Sequence, residues 1–476
     1  MASRGDIDYN SVQPNLLPNW KTIDFENSLD KTPKYVKHKT KGLSNNGTYP
    51  VIDQGDSFIG GYIDDPDKIY TGEYPIIVFG DHTRVVKFID FEFAVGADGT
   101  KILRPKSQLK PKFFFYYLKT LKIPDLGYSR HFKILKEIQV PLPPRAEQDR
   151  IVAKLDTLFE QLEHINKSLD HIPTLLKNFR QQVLTQAVTG KLTEEWRKGK
   201  ELQSPNEIIS EIYNNRAENL KGNKLTKLQE IYSDSDSSLD FPIPSNWIEI
   251  NLDKICTSFS YGTSSKSNNE GTYPVLRMGN IQQGKLDWSD LKYTSDSDEY
   301  EKYKLNKGDV LFNRTNSPEL VGKTSIYRGE IPALYAGYLI KIDSMKELNS
   351  EFLNIVLNTN YAKKWCWEVK TDGVSQSNIN ATKLSKFTLP FPSPDEQQEI
   401  VNRVENLFAK VDAIEVHYEA LKTKIEHLPQ AILHKAFKGE LVPQLESDGD
   451  ARELLREIEG VKKGISGTKK KTATKK

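Results

Sequence analysis

Three short polar runs carry side chains able to read the edges of nucleic-acid bases. Asp81-His82-Thr83-Arg84, with Lys87 close behind, sits between two apolar, strand-like stretches, hence on a loop or a strand end. An arginine fork matches the paired acceptors of guanine, a lysine suits a phosphate, and His or Thr can hydrogen-bond a base. The same run also reads as a plain turn held by an Asp–Arg pair. Asn313-Arg314-Thr315-Asn316-Ser317 ends the strand-like segment 308–312, and an asparagine amide suits adenine as arginine suits guanine. Ser375-Gln376-Ser377-Asn378, within the polar stretch 373–380 and near Lys383, is either an ordinary loop or a third contact to bases and phosphates. Arg277, Asn280 and Lys323 join this candidate DNA-binding set from the second half of the chain, and Lys101, Arg104 and Arg130 from the first.

Catalysis has no comparable foothold. Gly322-Lys323-Thr324 mimics the end of a phosphate-binding loop, but position 317 is Ser where Gly is needed, and Gly329 and Pro332 interrupt any helix after it. His82 has no nucleophile beside it. There is no Asn/Asp-Pro-Pro-Tyr/Phe motif of an adenine methyltransferase and no acidic nuclease set. Cys256 and Cys366 lack a C-x-x-C partner or a His cluster, so neither a metal site nor a disulfide framework is expected, and a reducing, cytoplasmic setting fits. No apolar run approaches the roughly 18 residues of a membrane span, and no charged-then-apolar leader opens the chain.

The net charge of +2 hides a segregation. Stretch 101–136 holds ten Lys/Arg and one acid, Asp125, around the aromatic run Phe113-Phe114-Phe115-Tyr116-Tyr117. The aromatics read as core and the charge as attraction to a phosphate backbone, where cations release condensed counterions. From 461 to 476 seven lysines and no acid mark a disordered end.

The elements that would hold these runs come in duplicate. Pro141, Pro143, Glu147, Gln148, Ile151, Val152, Leu158, Phe159 and Ile165 recur as Pro390, Pro392, Glu396, Gln397, Ile400, Val401, Leu407, Phe408 and Ile414, at a constant offset (390 − 141 = 249). The match resumes at Gln181, Leu184, Ala187, Gly190 and Leu192 against Gln430, Leu433, Ala436, Gly439 and Leu441. Apolar residues step 4-3-4-3 through Ile151, Leu155, Leu158, Leu162, Ile165 and Leu169, and again through Ile400, Val404, Leu407, Val411, Ile414 and Tyr418. Such spacing predicts two helices packed along one seam. Ser393-Pro394-Asp395-Glu396 predicts a capping box, while Pro173 and Pro429 predict breaks or kinks. Glu147-Gln148 and Glu396-Gln397 fall in first helical turns, where acid opposes the helix dipole favourably.

The length calls for two or more domains. The expected fold is α+β: a leader over 1–15, an α/β head over 16–140, helical repeats over 141–200 and 390–445, a polar connector over 201–240, a second α/β head over 241–389, and a basic tail over 446–476. Strands are expected at 74–79, 85–89 and 91–95, a helix at 111–121 and another around 206–221. The heads diverge while the helices do not, apart from echoes such as Gly47-Thr48-Tyr49-Pro50-Val51 against Gly271-Thr272-Tyr273-Pro274-Val275. An antiparallel pair explains that contrast, since each helix must match one partner surface whereas each head is free to read something different. A helix over 145–171 is about 40 Å long at 1.5 Å per residue, which would set the heads roughly 40–50 Å apart.

This arrangement resembles the specificity subunits of type I restriction–modification enzymes over about 16–445. The resemblance rests on Val140-Pro141-Leu142-Pro143 through Glu147-Gln148 to Ile151-Val152, its twin Leu389-Pro390-Phe391-Pro392 through Glu396-Gln397 to Ile400-Val401, and Gly190-Lys191-Leu192-Thr193-Glu194-Glu195-Trp196-Arg197. Phe79-Gly80-Asp81-His82-Thr83-Arg84 with Gly96-Ala97-Asp98-Gly99, and the second and third polar runs, are similar to that family too. It implies two target-recognition domains, a pair of long antiparallel coiled-coil helices with pseudo-two-fold symmetry, and a bipartite double-stranded DNA target. It also implies two methyltransferase subunits bringing S-adenosylmethionine and restriction/translocase subunits using ATP and Mg. This chain itself would hold no cofactor and catalyse nothing. The alternative is a coiled-coil scaffold that binds proteins through both heads.

Overall fold

The computed structural model describes residues 17–460 except Thr40, Asp98, Leu126, Tyr128 and Ser129. The expected leader over 1–15 and the run from 461 lie outside the described residues. The chain divides into two compact units, Met1–Asp170 with Glu419–Lys476, and His171–Tyr418.

The first unit contains β1 (Lys21–Asp24), β2 (Leu29–Asp30), β3 (Lys37–His38), β4 (Tyr49–Ile52), β5 (Gly61–Ile63), β6 (Ile76–Gly80), β7 (Val86–Ile89), β8 (Ala94–Gly96), β9 (Thr100–Pro105), α1 (Pro111–Thr120), α2 (Phe132–Leu135), β10 (Gln139–Leu142) and α3 (Arg145–Asp170). Its sheets run in the orders β2-β9-β6-β7 and β3-β8-β4-β5. Strand β6 is the partition. Alternate side chains of a strand point to opposite faces, so Ile77 and Phe79 join the core that receives Phe113, Phe114 and Trp20, while Ile76 and Val78 join a second core with Tyr70 and Phe93. The aromatic run is core, as its spacing implied: Phe113, Phe114, Tyr116 and Tyr117 are buried on α1. The strand expected at 91–95 is shorter, because the Phe93 carbonyl accepts from the Tyr70 amide (2.8 Å) instead of a ladder.

The second unit contains α4 (Ile172–Val188), α5 (Glu194–Arg197), α6 (Pro205–Ala217), α7 (Asn223–Ser233), β11 (Ile248–Asn251), α8 (Leu252–Ile255), β12 (Cys256–Tyr261), β13 (Tyr273–Leu276), β14 (Ile281–Gln282), β15 (Lys285–Leu286), β16 (Lys292–Thr294), α9 (Ser297–Tyr303), β17 (Val310–Asn313), β18 (Thr315–Asn316), β19 (Thr324–Ile326), β20 (Leu334–Tyr335), β21 (Leu339–Ser344), α10 (Ser350–Leu357), α11 (Asn360–Val369), β22 (Thr371–Asp372), β23 (Ser377–Asn378), α12 (Ala381–Ser385), β24 (Thr388–Phe391) and the start of α13 (Pro394–Phe437). Strand β17 repeats the role of β6, sending Val310 and Phe312 to one core and Leu311 to another. The strand β19 after Lys323 leaves no helix where a phosphate-binding loop would need one. The polar region 201–240 is docked rather than a free connector. Ile208 and Ile212 are buried in the main core, the Tyr232 hydroxyl donates to the Lys254 carbonyl (2.6 Å), and the Lys254 ammonium meets Asp236 (2.7 Å).

One frame closes each head. Antiparallel β1/β10 pairs Lys21 with Leu142, and β11/β24 pairs Ile248 with Phe391, the same register at the two offsets (248 − 21 = 227; 391 − 142 = 249). The Trp20 indole donates to Glu147 (3.0 Å), and the Trp247 indole to Glu396 (2.9 Å). Gln148 accepts from the amide of Lys110, the residue capping α1, and donates to the Pro143 carbonyl. Gln397 does the same with Asn349, the cap of α10, and Pro392. The helix-dipole reading of these Glu-Gln pairs was therefore incomplete: they are buried acceptors and stitches that fix each head to its helix. With Glu396 so engaged, the expected capping box does not form, and the buried Ser393 hydroxyl makes no cap.

The helices depart from their pattern in two ways. Helix α13 runs through Pro429, although proline there frees the Ile425 carbonyl. Packing overrides the break, for Leu433, Ala436 and Phe437 beyond it are buried in one core with Ile151 and Leu155 of α3. Pro173, by contrast, sits in the first turn of α4, where α3 has just ended. The seam is also narrower than predicted. Ile151, Leu155, Leu162, Leu169, Ile400, Val404, Val411 and Tyr418 are buried, Leu158 and Leu407 are half-buried, but Ile165 is 43% and Ile414 48% exposed. A single partner helix covers one narrow stripe, and these positions turn off it. Within the second unit α4 and the start of α13 are antiparallel: Arg180 meets Asp412 (2.7 Å) and Glu415 (2.8 Å), while Leu184 and Ala187 share a core with Ile400 and Val404. Part of the expected tail over 446–476 is ordered: 452–460 are helical and bury Ile458 against the first head.

Candidate nucleic-acid interface

In the first unit the run 81–85 is the turn between β6 and β7. Asp81 is buried inside it. Its carboxylate accepts from the Phe132 amide (2.7 Å) and faces Lys101 (3.7 Å), so it braces the turn and offers nothing to solvent. Lys87 is 4% exposed and donates to the Asp53 (2.9 Å) and Ser57 (2.6 Å) carbonyls; burial lowers its pKa. It therefore holds the neighbouring loop and reaches no ligand. Arg84 adopts φ +66° and binds the Ile123 carbonyl (3.2 Å) and Asp125 (2.8 Å). His82 and Thr83 remain half-buried at the surface, both tied to a residue the motif reading overlooked, Gln54. The Gln54 carboxamide oxygen accepts from the His82 amide (3.1 Å), and its carbonyl from the Thr83 hydroxyl (2.5 Å). Gly99, at φ +71°, makes room for it, since a Cβ there would lie 2.3 Å from the same carboxamide oxygen. The carboxamide nitrogen donates to no group among the described residues, which leaves a donor of the kind that reads adenine. In sequence Gln54 carries only the signal of a turn, Asp53-Gln54-Gly55-Asp56.

The basic stretch 101–136 loses most of its meaning in three dimensions. Lys101, Lys106, Lys110, Lys112 and Lys136 pair with Asp81, Asp30, Asp149, Asp156 and Glu26, and Arg104 with Glu73. Charges counted along the chain miss carboxylates brought in from elsewhere. Of the candidates in this stretch, Arg130 is exposed.

In the second unit the fold unites two runs far apart in sequence. Strands β18, β23 and β22 form one small antiparallel sheet in which Thr315 pairs with Asn378 and Asn316 with Ser377. The Asn378 amide donates to the Thr315 hydroxyl (2.8 Å), and the Ser317 amide to the Asn316 side chain (2.8 Å). Ser377 itself is buried against Asp372. At the tip the Gly373 amide donates to the Gln376 carbonyl (2.8 Å), presenting Val374, Ser375 and Gln376 to solvent, with Val374 at 110% exposure. Lys383 anchors the hairpin base through the Val369 carbonyl and the Thr371 hydroxyl.

Beside this sheet Arg314 lies 4.5 Å from the Tyr261 ring centroid, and its main chain links to Tyr338 and Ile379. Stacking fixes the plane of a guanidinium fork before any ligand arrives. Lys323 reaches Gln282 (3.2 Å) at the surface. Two candidates are interior. Asn313 is fully buried, neither amide atom finding a partner among the described residues, and Asn280 closes its own loop through the Asp287 and Asp290 carbonyls. Arg277 is half-buried and leans on Asp290 (3.2 Å).

Among the described residues no group of three or more His, Cys, Asp or Glu side chains could hold a metal ion, and no helix is long and apolar enough to cross a membrane. Cys256 and Cys366 are buried free thiols, and burial pushes the Cys366 thiol up to about 12. In the second unit Leu175, Phe179, Leu407, Val411 and Ile414 line an open apolar recess of ≈ 590 Å³.

The family model described as the type I restriction modification DNA specificity domain matches residues 27–174 and 244–424, once over each head with its helix. The chain is 30% identical over 409 residues to the specificity subunit of the type I restriction enzyme EcoKI of Escherichia coli K12, covering 81% of this chain and 79% of that one. It is 30% identical over 358 residues to the EcoBI specificity subunit of Escherichia coli, covering 72% and 68%. Among solved structures it is similar to the HsdS subunit from Thermoanaerobacter tengcongensis, with TM-score 0.54, 17% identity and coverage of 89% and 98%. A chain from a structure on complex assembly and conformational transition of the type I R-M system gives TM-score 0.56, 16% identity and coverage of 89% and 99%.

Proposed function

The chain belongs to the family of type I restriction–modification DNA specificity proteins, and from that premise we propose that it reads a two-part double-stranded DNA target, one head to each half. The observation that carries this reading is the pairing of identical frames with unlike polar surfaces. The first head offers Gln54, His82 and Thr83, and the second Arg314, Asn316, Asn378, Ser375 and Gln376. A fork held on an aromatic ring suits guanine, and carboxamides at the surface suit adenine; each such pair is worth about 1–3 kcal/mol of discrimination.

The chain supplies no reaction. Methylation and cleavage fall to partners: two methyltransferase subunits carrying S-adenosylmethionine, and restriction/translocase subunits using ATP and Mg, all acting in the cytoplasm. What supports docking is an uncovered apolar patch in each unit: Ile165, Leu421 and Leu428 in the first, and Leu175, Phe179 and Ile414 in the second, each at least 40% exposed. Exposed apolar positions in a row along helices mark a surface meant to be covered.

Comparing the methylomes of host cells with and without this gene tests the reading. A split adenine-methylated motif that disappears with the gene is expected; an unchanged methylome would overturn it.

A further inference from the structure

We propose that segment 31–41 of the first head is its phosphate contact, a surface that tracks the DNA backbone beside the bases read by Gln54 and its neighbours. This deepens the DNA-reading function and rests on it. From 31 to 52 the chain carries Lys31, Lys34, Lys37, Lys39, Lys41 and His38, and no acid. All five lysines are exposed. Lys31, Lys34, Lys39 and Lys41 have no carboxylate partner among the described residues. That is the reverse of 101–136, where six cations are each matched by an acid.

Location points the same way. Strand β3 is the outer strand of its sheet, and its His38 carbonyl accepts from the Ala97 amide (2.5 Å). The Lys37 ammonium donates to the Thr100 carbonyl (3.0 Å), and the Gly99 carbonyl accepts from the Asp81 amide (2.7 Å). Ala97, Gly99 and Thr100 thus join the lysine segment directly to the turn that presents His82 and Thr83. Lysines on an edge strand also discourage edge-to-edge pairing, but β3 is two residues long and four of the five lysines lie outside it. Fully extended, the ten steps from 31 to 41 reach at most about 33–36 Å, enough to pass several phosphates spaced at about 3.4 Å of rise per strand.

The test uses the full chain assembled with its methyltransferase partner and titrates duplex DNA over a range of salt. Replacing Lys31, Lys34, Lys39 and Lys41 with Gln should lower the slope of log affinity against log salt by about 3.6, at about 0.9 for each phosphate no longer neutralised. Affinity should fall by the same factor on target and unrelated duplexes, and the methylated motif should stay as it is. An unchanged slope in a variant that melts like the parent would overturn the proposal. So would an equal drop when the paired set Lys106, Lys110, Lys112 and Lys136 is replaced instead. A slope that falls as expected while the parent complex shows no sequence preference would uphold the phosphate contact and sink the recognition reading, so the two failures are distinct.

Discussion

Glu147 and Glu396 stand at the same place in two copies of one frame, yet their surroundings differ in charge. Each accepts an indole N–H from its head, and each takes a further donor from the segment that closes the unit. For Glu396 that segment supplies the Thr193 hydroxyl (2.8 Å) and the Arg197 guanidinium; for Glu147 it supplies the neutral amide of Gln444. The cation of the first unit sits one step away, where Arg150 grips Asp448. Burial, opposed by its two hydrogen bonds, holds the Glu147 pKa above the usual carboxylate range. Duplication has thus kept the hydrogen-bond geometry, which fixes the head on its helix, while the charge that balances the carboxylate has drifted.

The largest expected effect breaks this comparison directly. Glu396→Ala strands a mostly buried Arg197 and should cost about 3–5 kcal/mol. Glu147→Ala strands only neutral donors and should cost about 1–3 kcal/mol. Denaturant unfolding of the full chain reads both, and equal losses would show that the charge difference is immaterial. Next in size is partner docking. If two methyltransferase subunits dock as proposed, Phe179→Glu in the second unit and Leu421→Glu in the first should each remove one of them, seen as a drop in complex mass by light scattering with unchanged melting of the chain. Loss of both from either change would mean that the patches do not act separately.

A subtler prediction asks whether the copies are interchangeable. A fragment ending near Lys200 retains α3, α4 and the closing segment with Arg197, and should form a dimer in which Arg197 of one copy takes the place of Gln444 on Glu147 of the other. A strict monomer at high concentration would show that the seams are not equivalent. The smallest effect is on pH dependence. Because the folded-state pKa of Glu147 is raised, its contribution is full below the ordinary carboxylate pKa and is lost as pH rises through the raised value. Asp448 is held low by its hydrogen bonds to Arg150, so its contribution is lost as pH falls instead. Glu147→Gln should flatten the loss of stability on the rising side, and Asp448→Asn the loss on the acid side, in melts followed across pH.

The repeat and the heads were legible in the sequence because periodicity and offset survive in one dimension. The candidate interface was legible only in part. Runs 313–317 and 373–380 carried enough polar density to stand out, and β18/β23 pairing brings them together. Within them, burial decided the rest: Asn313 and Ser377 look like their neighbours in sequence but face inward. Stretch 101–136 misled because its neutralising acids, such as Asp30 and Asp156, come from other segments. The stretch 31–52 is a better signal, since it holds no carboxylate of its own and, among the described residues, none pairs with Lys31, Lys34, Lys39 or Lys41. Gln54 needed the fold, because only the turn at 81–84 and Gly99 make its position special.

The central claim is that each head reads its own half of one target. Methylome sequencing of cells carrying Gln54→Ala or Arg314→Ala tests it most directly. Each variant should relax or shift bases in one half of the split motif, a different half for each, with the other half and the spacing intact. Changes that fall in the same half, or in both halves at once, would contradict it.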